Sequence, residues 1–208
     1  LANNKDKNNN LILDQNITVI ITSAGKVNSA CNYNLAYKNP WFINIGSSLA
    51  IDQIKKRLNP KIVLAVKYKK NKFFKLKPFN NIQFVEVGNT KNITETIKIT
   101  LKCIETEWCL INPITTIPSS NDFSQSFIEF GSTMLPKENW ASLILSEDGI
   151  SKFSGKNDKN SEGLESYPFT GRIFAKTKDL NCLISELKEN EKNDLGNLAN
   201  KLFYKSKV

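Results

Sequence analysis

Not one histidine occurs in the 208 residues of this chain. Its absence excludes the Ser-His-Asp triad, the Cys-His nucleophile pair and imidazole metal ligation together, because each needs a ring nitrogen that exchanges a proton or binds a metal near neutral pH. Cysteine is scarce as well. The four thiols, Cys31, Cys103, Cys109 and Cys182, include no C-x-x-C pair, so a zinc cluster is excluded. The expectation is reduced, buried thiols in a cytoplasmic protein. No apolar run approaches the roughly 20 residues that would cross a bilayer, so no membrane span is expected. Chemistry is left to carboxylates, lysines, backbone amides or a bound ion. Acidic residues are the minority, 20 against 29 basic ones, and the net charge of +9 suits an anionic partner. A nucleotide, a phosphorylated sugar, a nucleic acid or an acidic surface would each satisfy that charge.

What the chain does contain is ordered as an α/β domain. Residues 1 to 14, beginning "LANNKDKNNN", are Asn- and Lys-rich and read as a polar tail or linker. With Leu1 in place of a starting Met, the expectation is that other domains of a longer chain accompany residues 15 to 208, which form one domain. "ITVIITS" (17 to 23), "KIVLAV" (61 to 66), "IQFVEV" (82 to 87) and "EWCLIN" (107 to 112) are apolar, β-branched runs of the kind buried on both faces of a parallel sheet. Between the first two, residues 47 to 58 predict a helix with Ile51, Ile54 and Leu58 on one face behind serine caps. A second helix is predicted from Asn92, where Ile93, Ile97, Leu101 and Ile104 repeat at helical spacing and Asn92 with Glu95 makes a variant capping box. The second half predicts a hairpin over 140 to 154 turning at Glu147-Asp148-Gly149, and a strand over 167 to 176. Two helices follow, one carrying Leu180, Leu183, Ile184 and Leu187, the other running from Asp194 to Tyr204. The fold class is α/β, three-layer and Rossmann-like, with a mainly parallel mixed sheet and a pocket at the carboxyl ends of its strands.

Four phrases in this order carry a resemblance: "TSAG" after the first strand, "NPWFINIGSSLAIDQI", "SEDGISKFSGK", and "FTGRIFA" leading into a helix. Together they resemble the sugar-phosphate nucleotidyltransferases of bacterial capsule and lipopolysaccharide synthesis, over residue 17 to the end. The resemblance implies the nucleotidyltransferase, or GT-A-like, fold. It also implies a reaction in which a sugar phosphate oxygen attacks the α-phosphorus of a nucleoside triphosphate, with Mg²⁺ as cofactor.

Carried over residue by residue, the resemblance puts Ser23, Ala24, Gly25 and Lys26 at the nucleotide phosphates. The loop's next glycine falls at Val27 and its arginine at Ser29, while the two lysines of the following segment fall at Pro40 and Ser48. Lys38 is the candidate stand-in for the first of those lysines. The metal-binding aspartate falls at Thr115, with Asp122 a candidate displaced ligand. On the acceptor side Lys156 matches the lysine that contacts the sugar phosphate, and Thr170 and Gly171 match the small pair lining the pocket.

Three readings follow. In the preferred one the domain keeps the fold but its catalytic loop and metal site are eroded, making it a pseudoenzyme that binds or scaffolds within glycan synthesis. In the second it is an active enzyme coupling a nucleoside triphosphate to a sugar phosphate or similar small molecule. In the third, "KYKKNKFFKLKPF" (67 to 79) follows a nucleic-acid backbone with its lysines and stacks bases on its aromatics. A short helix with solvated lysines, packed on the sheet edge, accounts for that segment more simply.

Overall fold

The computed structural model describes residues 16–22, 44–45, 48–49, 52–54, 61–66, 82–114, 116, 128–132, 141–146, 149–154, 165–187 and 194–205. Its centre is four parallel strands in the order β5 (Ile82–Glu86), β4 (Lys61–Val66), β1 (Ile17–Thr22) and β6 (Trp108–Pro113). These are the four apolar runs of the sequence. β1 is buried at all six positions, the consequence of β-branched residues facing both ways in a sheet covered on both sides.

The sheet then turns antiparallel. β10 (Ser166–Lys176) pairs through its end with β6 and through its start with β8 (Ser142–Ser146), which pairs with β9 (Gly149–Ser154). β7 (Glu129–Ser132) also lies along β10. The hairpin over β8 and β9 and the strand β10 match the sequence expectation, although the turn residues 147 and 148 lie outside the described residues.

Three helices pack on one face: α1 (Ile93–Leu101), α2 (Thr177–Glu186) and α3 (Leu195–Lys205). They put Ile97, Leu101, Leu180, Leu183, Ile184, Leu198 and Leu202 against Ile20, Ile111, Ile173 and Ala175 of the sheet. The alternate residues Val19, Ile21, Ile62, Leu110 and Phe174 are equally buried, so the parallel core is covered on its other face too. Phe153 of β9 ties the antiparallel strands to α3, packing edge-on to Phe130, Phe169 and Phe203 with ring centroids 4.9, 5.6 and 6.0 Å away.

Three sequence expectations are corrected. Residues 48 and 49 do not belong to the helix predicted over 47 to 58. Ser48–Leu49 is a short strand, β3, paired antiparallel with β2 (Asn44–Ile45), and helix is described at residues 52 to 54, where Ile54 is fully buried. Hydrogen bonding to a neighbouring strand outweighs capping there. α1 ends at Leu101 rather than reaching Ile104, whose N–H bonds back to the Leu101 carbonyl in a closing turn. The thiols are not uniformly buried either. Cys109 is, Cys103 is intermediate, and Cys182 is exposed on the outer side of α2, beside Glu186 and Lys205. The tail, the 67 to 79 segment and Cys31 lie outside the described residues.

Candidate functional site

β1 and β6 end side by side, with Thr22 opposite Pro113, at the carboxyl edge where an α/β sheet leaves a crevice for ligands. The chain leaves β6 in a tight turn. Thr116 N–H donates to the Pro113 carbonyl at 2.9 Å, and Ile114 N–H donates to the Thr22 carbonyl at 3.3 Å. Beneath this turn Asn112 is wholly buried, and its amide Nδ2 donates to the carbonyls of Pro113 and Thr116, both at 2.9 Å. A polar residue closing an otherwise apolar strand is tolerable because these bonds replace water. Asn112 Oδ1 finds no hydrogen-bond partner among the described residues.

β10 brings the second wall. Its register against β7 shifts between Phe169 and Ile173, and Gly171 sits in the irregularity with φ +82°, which L side chains resist. A Cβ at 171 would stand 2.9 Å from both Pro113 Cγ and Leu195 Cδ1, so the backbone approaches the β6 turn more closely than any side chain allows. Thr116 Oγ1 donates to the Thr170 carbonyl at 3.0 Å and ties the turn to the bulge. Thr170 Oγ1 is buried with no hydrogen-bond partner among the described residues. Gly131 of β7 permits the same crowding from the other side, since a Cβ there would lie 2.5 Å from Thr170 Oγ1. One residue further on, burial pushes the Arg172 guanidinium below the ordinary arginine value, and the charge of Glu129 partly offsets it.

Of the residues picked from the sequence, Thr170 and Gly171 are described, and they stand against the turn that flanks position 115. Ser23, Ala24, Gly25, Lys26, Lys38, Thr115, Asp122 and Lys156 lie outside the described residues. Sequence reasoning passed over Asn112, Thr116, Glu129 and Arg172. The signals were there: an Asn closing the apolar "WCLIN" run, and one of only two arginines in the chain inside a strand.

Mg²⁺ favours carboxylates and phosphates. The described donors at this edge, Asn112 and Thr116, are neutral, Pro113 offers its carbonyl to Asn112 and Thr116, and Glu129 sits with Arg172. That set does not fit Mg²⁺, and no cluster of three or more His, Cys, Asp or Glu occurs among the described residues. The larger described cavity, about 750 Å³, lies elsewhere. It is at the amino end of β6, lined by Glu105, Thr106, Glu107, Lys176, Lys178 and Cys182 among others.

The sequence matches no family model and no curated protein. The fold, however, is shared with solved nucleotidyltransferases. A Bacillus anthracis protein assigned as a glucose-1-phosphate thymidylyltransferase superposes with a TM-score of 0.70 at 14% identity, over 91% of this chain and 83% of that one. The inositol-1-phosphate CTP transferase of T. maritima gives 0.68 at 16% identity, over 90% and 81%. The nucleoside-diphosphate-sugar pyrophosphorylase of Vibrio cholerae gives 0.66 at 12%, over 91% and 88%. At such identities the likeness establishes the architecture: the chain has the Rossmann-like nucleotidyltransferase fold. Among the described residues no helix is long and apolar enough to cross a membrane.

Proposed function

We propose that the chain is a nucleotidyltransferase-like domain of bacterial surface-glycan synthesis, acting in the cytoplasm, whose strand-end crevice still accepts a nucleoside triphosphate or sugar phosphate but turns it over weakly or not at all. The observation that supports this reading is the Thr170–Gly171 bulge held against the Pro113–Thr116 turn. The bulge brings backbone with no side chain at 171 directly against the β6 turn, so the wall beside the strand ends is fixed where an acceptor would rest. The assignment of Ser23 to Lys26 to the phosphates, and of Lys38 and Lys156 to charge neutralisation, follows the sequence resemblance.

Loss of activity follows from charge. Phosphoryl transfer is accelerated chiefly by positioned cations, and removing one such electrostatic contact costs on the order of 2.7 to 4 kcal/mol of transition-state stabilisation. Ser29, Pro40, Ser48 and Thr115 replace four charged groups of the signature, and Val27 replaces a glycine. Any Mg²⁺ would have to be recruited by Asp122 or by the substrate's own phosphates.

The test is calorimetric titration with CTP, UTP, GTP and dTTP, with and without Mg²⁺, alongside a pyrophosphate-release screen of sugar phosphates. The expected result is nucleotide binding that Mg²⁺ changes little, with pyrophosphate release at background. Binding that strengthens markedly with Mg²⁺, together with turnover, would instead establish an active enzyme with a relocated metal ligand.

A further inference from the structure

The outer face of α1 carries a feature that the strand-end site does not use. Lys91, Glu95, Lys98 and Lys102 follow one another at intervals of four, three and four residues, so they form one stripe along the helix. The stripe borders a groove of about 420 Å³ whose other wall is Ile184 and Leu187 of the α2 end, with Thr94 and Ile99 completing the lining. Among the described residues neither Lys98 nor Lys102 has an ion-pair partner. Glu95 has other business: its N–H donates to Asn92 Oδ1 at 2.8 Å, and its Oε2 accepts the Lys91 N–H at 2.6 Å.

Thr94 supplies the independent observation. It is only 4% exposed, it lines the groove, and its Oγ1 has no hydrogen-bond partner among the described residues. A buried hydroxyl ordinarily takes the i−4 carbonyl of a helix or a water, as the Thr100 hydroxyl does with the Thr96 carbonyl at 2.8 Å. Thr94 is the second residue of α1, where the backbone N–H groups also lack intrahelical acceptors and the helix dipole favours an anion.

We infer that this groove binds an organic phosphate with a small apolar body, the phosphate held by Lys98, Lys102 and the Thr94 hydroxyl and the body lying on Ile99, Ile184 and Leu187. The site is separate from the strand-end crevice. None of the residues lining the groove belongs to the Pro113–Thr116 turn or to the Thr170–Gly171 bulge.

Phenyl phosphate is the probe, titrated calorimetrically against the whole chain, with inorganic phosphate and benzyl alcohol as its anionic and apolar halves. Phenyl phosphate is expected to bind saturably and more tightly than either half. Lys98→Ala with Lys102→Ala should weaken it about tenfold or more, since charge-assisted hydrogen bonds are lost. Thr94→Val, which keeps the shape and removes the hydroxyl, should weaken it severalfold, and nucleotide binding at the strand ends should be the same in all variants. Absence of saturable phenyl phosphate binding, an unchanged affinity in the double lysine variant, or displacement of the probe by nucleoside triphosphate would each overturn the inference. Failure of the nucleotide titration alone bears on the strand-end reading and leaves this one standing.

Discussion

At the scale of single residues, the strand-end site depends on the absence of side chains as much as on their presence. Gly171 is constrained twice, by a positive φ and by Pro113 and Leu195 at 2.9 Å from where a Cβ would be. Gly171→Ala is therefore expected to destabilise the domain by about 1–3 kcal/mol, the range for overpacking and for a residue forced into an unfavoured backbone region. Urea unfolding would check it, and a midpoint unchanged from wild type would mean that the bulge is not under this constraint. The cysteines offer a second prediction. Cys182 is exposed, whereas burial pushes the Cys109 thiol up to about 12. Thiolate is the reactive form, so a maleimide pulse at pH 8 followed by peptide mass spectrometry should label Cys182 in the native protein and Cys109 only after unfolding. Native labelling of Cys109 would mean that the central sheet opens locally.

At the scale of elements, α1 shows how far a local pattern reaches. Asn92 caps it as its sequence implies, accepting from the Glu95 N–H, but the reciprocal carboxylate bond goes to the Lys91 N–H rather than to the cap residue itself. Asn92→Ala should lower stability by about 1 kcal/mol, read as a drop in the thermal midpoint, while Asn92→Gly should cost only a few tenths. Equal losses in both variants would mean that the side-chain cap is not what holds this helix end. The same contrast explains what was legible in the sequence. The parallel strands were readable because burial on both faces demands unbroken apolar runs such as "ITVIIT", and the helices because stripes such as Leu180, Leu183 and Ile184 repeat with the helical turn. β7 was not readable, since "EFGS" is four partly exposed residues whose strand character comes from pairing with β10. Nor was the start of the helix after Gly46, where pairing with Asn44–Ile45 claimed Ser48 and Leu49. Of the site, the resemblance supplied Thr170 and Gly171. Asn112 left a local trace, as the polar residue closing an apolar run, but the role of Thr116 emerges only when two distant segments are placed together, because its hydrogen bond to Thr170 spans 54 residues.

At the scale of the whole molecule, the sheet that positions the site contains a titratable group at its centre. Cys109 lies in β6, flanked by Thr18 of β1 and Ala175 of β10, and is completely buried. Removal from water raises its pKa from 9.0 to about 12, and a hydrogen bond with Thr177 moderates the rise. The direction of the linkage follows from which state keeps the proton. Below pH 9 both the folded and unfolded chains hold it, and stability does not depend on this thiol. Between pH 9 and about 12 the unfolded chain gives the proton up while the folded one keeps it, so stability falls as pH rises, by about 1.4 kcal/mol per pH unit at the steepest. Other groups titrate in the same range, and the variant Cys109→Ala separates them. It should start less stable than wild type because a core side chain is truncated, yet lose less stability between pH 8.5 and 11. Urea unfolding of both proteins across that interval measures the two slopes. A converging pair of curves supports a buried, neutral thiol at the heart of the parallel sheet, whereas parallel curves would show that Cys109 reaches solvent in the folded protein and that β1 and β6 are less firmly sealed than their burial implies.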